Sequence, residues 1–218
     1  EPEPAVEPID HSSVSLPFDG QDDDLQVLGV TVSRALFAIL TDETRVHLQT
    51  LEYELTLMQF DTALPPSDAM VRASHTLCGI HRTAGFLEIG DFAGLREAAF
   101  LHESGKTTEA IALLQAKKDK VHTPDLQEIY VLRLARLQFI AGKNQDAKTT
   151  LATLKSPKLG ATVEELRGDI EFALGNRDGA RKAYEQALTD LDQAAPTRDL
   201  LQLKLIEAGG QPPAQPEI

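Results

Sequence analysis

The chain has 218 residues, a formal net charge of −13 and a single cysteine. This charge balance excludes nucleic acid and anionic membranes as the main partners, because both are held through clustered Lys and Arg. Lone Cys78 excludes an internal disulfide, and no apolar run reaches the roughly 18 residues that span a bilayer.

Residues 1–24 hold eight acidic side chains, no Lys or Arg, and Pro2, Pro4, Pro8 and Pro17, leaving −5 for the rest of the chain. A segment of that composition cannot bury enough apolar surface to order itself, so 1–23 is expected to be a disordered acidic linker. The chain opens at Glu1 with no signal-peptide pattern and is expected to be a fragment or processed piece of a longer product. Beyond the linker, alternating Val/Ile/Thr runs are nearly absent and helical spacing recurs. Helices are expected near 24–40, 42–60, 67–88, 91–104, 106–119, 124–141, 143–154, 161–174, 176–191 and 196–207. The Gly/Pro-rich end, 208–218, reads as a disordered tail. The fold class is all-α.

In the third of these helices Met70, Ala73, Leu77, Ile80, Ala84 and Leu87 follow a 3-4-3-4-3 spacing, a regular apolar seam. His75 falls opposite that seam, with Gly79 one turn on, Arg82 two turns on and Arg72 one turn back. An exposed imidazole beside a cleared surface suits a phosphoryl relay: the neutral nitrogen is nucleophilic, and nearby cations offset the charge of the product. A zinc site would need three or four ligands, and His75, Cys78 and His81 do not share one helix face. An inactive, degenerate relay site and a plain surface histidine remain the alternatives for His75, and a passive thiol the reading for Cys78. His81 is expected beside the seam, partly buried.

The stretch "HTLCGIHRTAG" resembles the H-x-L-K-G motif of histidine phosphotransfer (Hpt) domains, particularly those of chemotaxis-like kinases controlling type IV pili. "LTDETRVHLQTLEYEL" (40–55) is similar to the acidic helix preceding the motif in that group. The resemblance covers 24–96 and implies a helical bundle in the cytoplasm, with His75 as phosphoacceptor, Gly79 as the clearing glycine, and a kinase or response regulator as partner. Cys78 stands where the family has lysine, which leaves Arg72 and Arg82 as candidate charge support.

The second half contains a repeat. Glycine precedes alanine by five residues in Gly105/Ala110, Gly142/Ala147 and Gly175/Ala180. Large apolar residues lie four beyond each alanine (Leu114, Leu151, Tyr184) and five before each glycine (Phe100, Leu137, Ile170). Glycine ends a helix by adopting a left-handed conformation, alanine admits close helix approach, and the large residue fills the groove. Such helix pairs cannot bury their apolar faces alone and must stack. The pattern resembles tetratricopeptide repeats, and "LRLARLQF", "TLATLK", "ELRGDIEFALGNRDGARKAYEQAL" and "DLLQLKLIEAGG" are more specifically similar to the YfgM family. That resemblance implies three hairpins plus a capping helix over 97–207, periplasmic placement at the inner membrane, and translocon or client proteins as partners.

No phosphate loop, paired carboxylates or His-Glu-x-x-His motif is present, so neither cofactor nor metal is expected, and turnover chemistry is not. His102, His122, the run Lys117, Lys118, Asp119 and Lys120, and the charges Arg177, Asp178, Arg181 and Lys182 are expected to be solvated. Three readings follow: a phosphoryl relay through His75 joined to a partner-binding repeat scaffold, a non-catalytic periplasmic scaffold whose N-terminal helices only support it, or a purely structural oligomerisation module.

Overall fold

The computed structural model describes residues 24–61, 63–154 and 159–212. The expected acidic linker and the last part of the expected tail lie outside the described residues.

The chain first forms a hairpin, β1 (Asp24–Val27) antiparallel to β2 (Val30–Ser33), in place of the helix expected from residue 24. Leu28 and Gly29 both have positive φ, 50° and 79°, and a two-residue turn of that hand matches the twist of the flanking strands. β-Branched Val30 and Val32 favour the pleated backbone, and Val32 is buried. Ser33 then caps α1 (Arg34–Phe60) by accepting from the Leu36 N–H, and this one helix runs through the break expected near residue 41. Val32 and Leu40 meet Phe86 in a small core that ties hairpin and α1 to the next helices.

Eight further α-helices follow among the described residues: α2 (Asp68–Thr83), α3 (Leu87–Glu103), α4 (Thr107–Lys117), α5 (Pro124–Ile140), α6 (Asn144–Leu151), α7 (Gly160–Ala173), α8 (Arg177–Asp190) and α9 (Arg198–Glu207). The architecture is all-α apart from the hairpin.

One turn design closes five of these helices, α2, α3, α5, α7 and α9. Gly85, Gly105, Gly142, Gly175 and Gly209 all have φ between 74° and 90°. At each, the residue after the glycine donates its N–H five residues back, as Lys106 does to Leu101 at 2.8 Å, and the glycine donates three back. This closes the last carbonyls of the helix and turns the chain sharply. Ala110, Ala147 and Ala180 are fully buried at the contacts that follow. Gly85 belongs to the same series, with Gly90 in the alanine position, so α2 and α3 form a further pair. The expected helix over 67–88 is therefore broken at Gly85.

The core runs along the stack in three clusters. Leu95, Ala98, Leu101, Leu114, Tyr130 and Leu134 form the first, Leu132, Leu151, Leu166 and Ile170 the second, and Tyr184, Leu188, Leu201 and Leu205 the third. Each buried large side chain contributes about 1.5–3 kcal/mol relative to exposure. The expected module boundary at 96/97 falls inside α3, which packs on α2, α4 and α5. Ala208 to Gly210, expected to begin the disordered tail, instead close α9, with Ala208 buried and the Gly210 N–H bonded to Leu205.

Candidate functional site

Two features of the α2–α5 region gather chemistry. The first is a polar seam between α2, α3 and α4. His75 is exposed, and its Nδ1 lies 2.7 Å from Oε1 of Glu97, a carboxylate brought inward by α3. With a carboxylate accepting there, the ring proton sits on Nδ1 and Nε2 points to solvent. The other oxygen of Glu97 accepts from Lys117 Nζ at 3.3 Å, and the same ammonium donates to Cys78 Sγ at 3.0 Å. Lys117 reaches in from the end of α4; the expectation that it belongs to a solvated face is corrected by this pairing. A buried carboxylate left alone would be costly; the Lys117 ammonium pairs with it and the His75 ring gives it a further polar partner.

Further along α2, Arg82 pairs with Asp91, which is 1% exposed, and also donates to the Lys120 carbonyl at 3.1 Å. Its guanidinium is thus committed to holding the α4–α5 connection rather than turned to His75. Asp91 also accepts the His122 backbone N–H at 3.3 Å, and its own carbonyl accepts from the Tyr130 hydroxyl at 2.6 Å. Burial raises the Tyr130 phenol above its ordinary value. Gly94 makes room for this packing: a Cβ there would come 2.5 Å from the Tyr130 hydroxyl and 3.5 Å from Cys78 Sγ. Arg72 is exposed on α2. Near it the Lys106 hydrogen bond and charge, with a smaller contribution from Arg72, hold Asp68 below the usual carboxylate range. Gly79 has nothing within 4 Å of where its Cβ would be.

His81 is buried, with Nδ1 2.8 Å from the Leu77 carbonyl, and Phe86 edge-on to its ring. His102 is half-buried and meets the Thr107 hydroxyl at 3.0 Å, so it is not the freely solvated residue expected, while His122 keeps an exposed ring. Among the described residues no three His, Cys, Asp or Glu side chains converge to hold a metal, and no helix is long and apolar enough to cross a membrane.

The second feature is a groove of about 260 Å³ between α3 and α5. Small Ala98 and Ala99 open it on one wall, and Leu114 and Leu137 floor it. Arg133, Arg136 and Ile140, spaced 3 and 4 along α5, form the other wall with exposed side chains. His102 and Glu103 close one end. The sequence reading missed Glu97, Lys117, Arg133 and Arg136. The signal for the last two was available, since Arg133 and Arg136 are the cations one turn apart in the apolar run 130–137.

Residues 69–210 match the family model described as a tetratricopeptide repeat-like domain. The chain is also similar to curated proteins named "Ancillary SecYEG translocon subunit". It is 29% identical over 116 residues to that of Escherichia coli (strain K12), covering 53% of this chain and 56% of the relative. To that of Haemophilus influenzae it is 33% identical over 96 residues, 44% of this chain and 47% of the relative. The chain thus spans about half the length of the curated relatives it matches. None of these matches concerns a phosphotransfer domain. No solved structure matches the chain.

Proposed function

Given that the chain belongs to the tetratricopeptide repeat-like domain family, we propose that it is a non-catalytic scaffold that holds a partner protein at the Sec translocon, on the periplasmic face of the inner membrane. The observation that carries this reading is the stack of glycine-closed hairpins, which leaves an open groove between α3 and α5 where apolar and cationic side chains stand together. Stacked hairpins bury their own faces against each other and present side chains of successive helices to an extended ligand. Apolar Leu137 and Ile140 beside Arg133 and Arg136 fit a short segment carrying both apolar and carboxylate side chains. The name shared by the curated relatives supports SecYEG or a protein in transit through it as the source of that segment.

The test is binding of the purified chain to SecYEG in lipid nanodiscs. Arg133→Glu with Arg136→Glu is expected to weaken binding at least about tenfold, a change of about 1.4 kcal/mol. Absence of binding by the unaltered chain, or equal binding by the variant, refutes the reading.

A second reading rests on His75. The Nδ1 proton held by Glu97, the solvent-facing Nε2 and the open surface over Gly79 fit a phosphoacceptor imidazole, and Lys117 brings a cation to the side of Cys78 that the family lysine would occupy. Treatment with phosphoramidate and intact mass measurement checks it: one acid-labile phosphoryl group, lost in His75→Gln, is expected. An unmodified wild type removes this reading and leaves the scaffold untouched.

A further inference from the structure

α1 carries two seams at three-four spacing, and the rest of the chain covers one of them. Phe37, Leu40, Thr44, His47, Leu51, Glu54 and Met58, at alternating spacings of three and four, are with Thr50 the residues of the helix that the rest of the chain partly covers. One residue before each lies a second seam, Leu36, Ile39, Glu43, Val46, Thr50, Tyr53 and Leu57, which Phe60 continues three residues on. Six of its members are large, apolar and exposed, from 40% for Leu57 to 62% for Ile39 and 87% for Phe60. We infer that this second seam is covered by the same seam of a second copy of the chain, the two α1 helices lying antiparallel across a two-fold axis beside Leu48.

Area favours that occupant. Taking about 160–230 Å² for each whole side chain, the six exposed fractions sum to roughly 700 Å² per copy. A stable protein pair buries about 800 Å² on each side, and isolated apolar patches on monomers rarely exceed about 300–600 Å². The seam is also regular over the full length of a 27-residue helix. That is the pattern a facing helix requires, since knobs at three-four spacing insert between their counterparts.

The single charge in the seam selects the direction. In a parallel, in-register pair Glu43 would stack on Glu43 of the other copy, a like-charge contact in an apolar setting. In the antiparallel pair symmetric about Leu48, Glu43 faces Tyr53 of the second copy, whose hydroxyl donates to the carboxylate. The same register sets Leu36 against Phe60, Ile39 against Leu57, and Val46 against Thr50. It also fills a second void. Beside Leu36, Ile39 and Glu43 a mostly apolar groove of about 380 Å³ opens between α1 and α2, reaching Gly79 and Ile80. Phe60 and Leu57 of the second copy fall at its mouth, where the missing side chain of Gly79 leaves space.

Sedimentation velocity and cysteine cross-linking test this. The chain is expected to sediment as a dimer at about 1–100 µM, a range in which an interface of this size is populated. Val46→Lys with Tyr53→Lys, both exposed in the isolated chain, should raise the dissociation constant at least about 100-fold and leave the helical circular dichroism unchanged. With native Cys78 buried, a mixture of Leu36→Cys and Phe60→Cys chains should form disulfide-linked heterodimers. Leu36→Cys alone should not, because two Leu36 positions lie about 36 Å apart in the antiparallel register by helix rise. A monomer throughout the range overturns the inference. So does a dimer indifferent to the lysine changes, or ready cross-linking of Leu36→Cys alone. A monomer whose seam takes up an apolar peptide assigns it to a foreign partner and equally overturns self-association.

Discussion

Gly168→Ala tests the closest helix contact in the stack. In an isolated helix this change is favourable by about 0.5–1 kcal/mol, because glycine loses more backbone freedom on folding. Here a Cβ on residue 168 would overlap Cε1 and Cδ1 of the Tyr184 ring, which is 3% exposed and sits among Ala180, Leu188 and Leu205. Those are mid-ring atoms of a rigid side chain, not the end of a flexible one, so either α7 and α8 separate or the ring turns out. Overpacking of this kind costs about 1–3 kcal/mol. Turning the ring also breaks the 2.9 Å hydrogen bond from its hydroxyl to Asp169, about 1.5–3 kcal/mol for a bond to a charged group. After the propensity gain the net loss with the ring turned out is about 1.5–5.5 kcal/mol, equivalent to a fall in Tm of about 3–20 °C for a chain of this size. Thermal unfolding followed by circular dichroism measures it. In a Tyr184→Leu background the same glycine change should cost at least about 1 kcal/mol less, since the two residues couple directly. A Tm that stays level or rises in Gly168→Ala, or strict additivity in the double variant, refutes the reasoning.

Lys117→Met should destabilise the chain by about 1–3 kcal/mol in urea unfolding, because Glu97 then stays buried without its ammonium partner. Adding Glu97→Gln should restore part of that loss; a neutral single variant would show that Lys117 does not matter to Glu97. Alkaline pH gives a further prediction, centred on Asp169. Burial, followed by the charge and hydrogen bond of Asp169, raises the Tyr184 phenol above its ordinary 10.0. Burial lowers Lys204, but its bonds to Glu165 and Asp169 outweigh that and hold it above 10.5. Both groups keep their protons longer in the folded state. Their contribution is therefore complete below about pH 10 and is lost as the pH rises through the folded values. The urea midpoint should be flat from neutrality to about pH 9.5 and then fall, less steeply in Tyr184→Phe with Lys204→Met, and a midpoint that climbs above pH 10 would contradict the assignment.

The helix pairs were legible because their turns leave a signature in single letters. A positive φ asks for glycine at 105, 142 and 175, and close approach asks for alanine at 110, 147 and 180. Gly85 was hidden since its small partner is Gly90 and the expected large residue four further on is Gly94, whose place is filled by Tyr130 from another helix. The hairpin at 24–33 was unreadable as strand from so short a run, although Leu28-Gly29 between valines carried a weak turn signal. Ion pairs such as Glu97 with Lys117, 20 residues apart, and Lys204 with Asp169, 35 apart, could not be read at all. Partner choice there depends on which helix faces which once the stack exists, and any of several nearby charges would satisfy the sequence equally. His75 was read as opposite the apolar seam and is exposed. Its carboxylate partner comes from α3, on the far side of the Gly85 turn.

The shared position of α3, paired with α2 on one side and α4 on the other, bears on how the chain folds. Most of its helix contacts join neighbours in sequence, so contact order is low and ordering can begin at several hairpins independently. Those nuclei are not all separable, because α3 belongs to two pairs at once. Opening the α2–α3 pair removes the support behind α3, whose other side α4 and α5 lean on. Amide exchange along α3 therefore proceeds through the larger, cooperative openings of the N-terminal half, while the α8–α9 end can fray by itself. The N-terminal half thus acts as one kinetic unit, and α3 sets its lifetime.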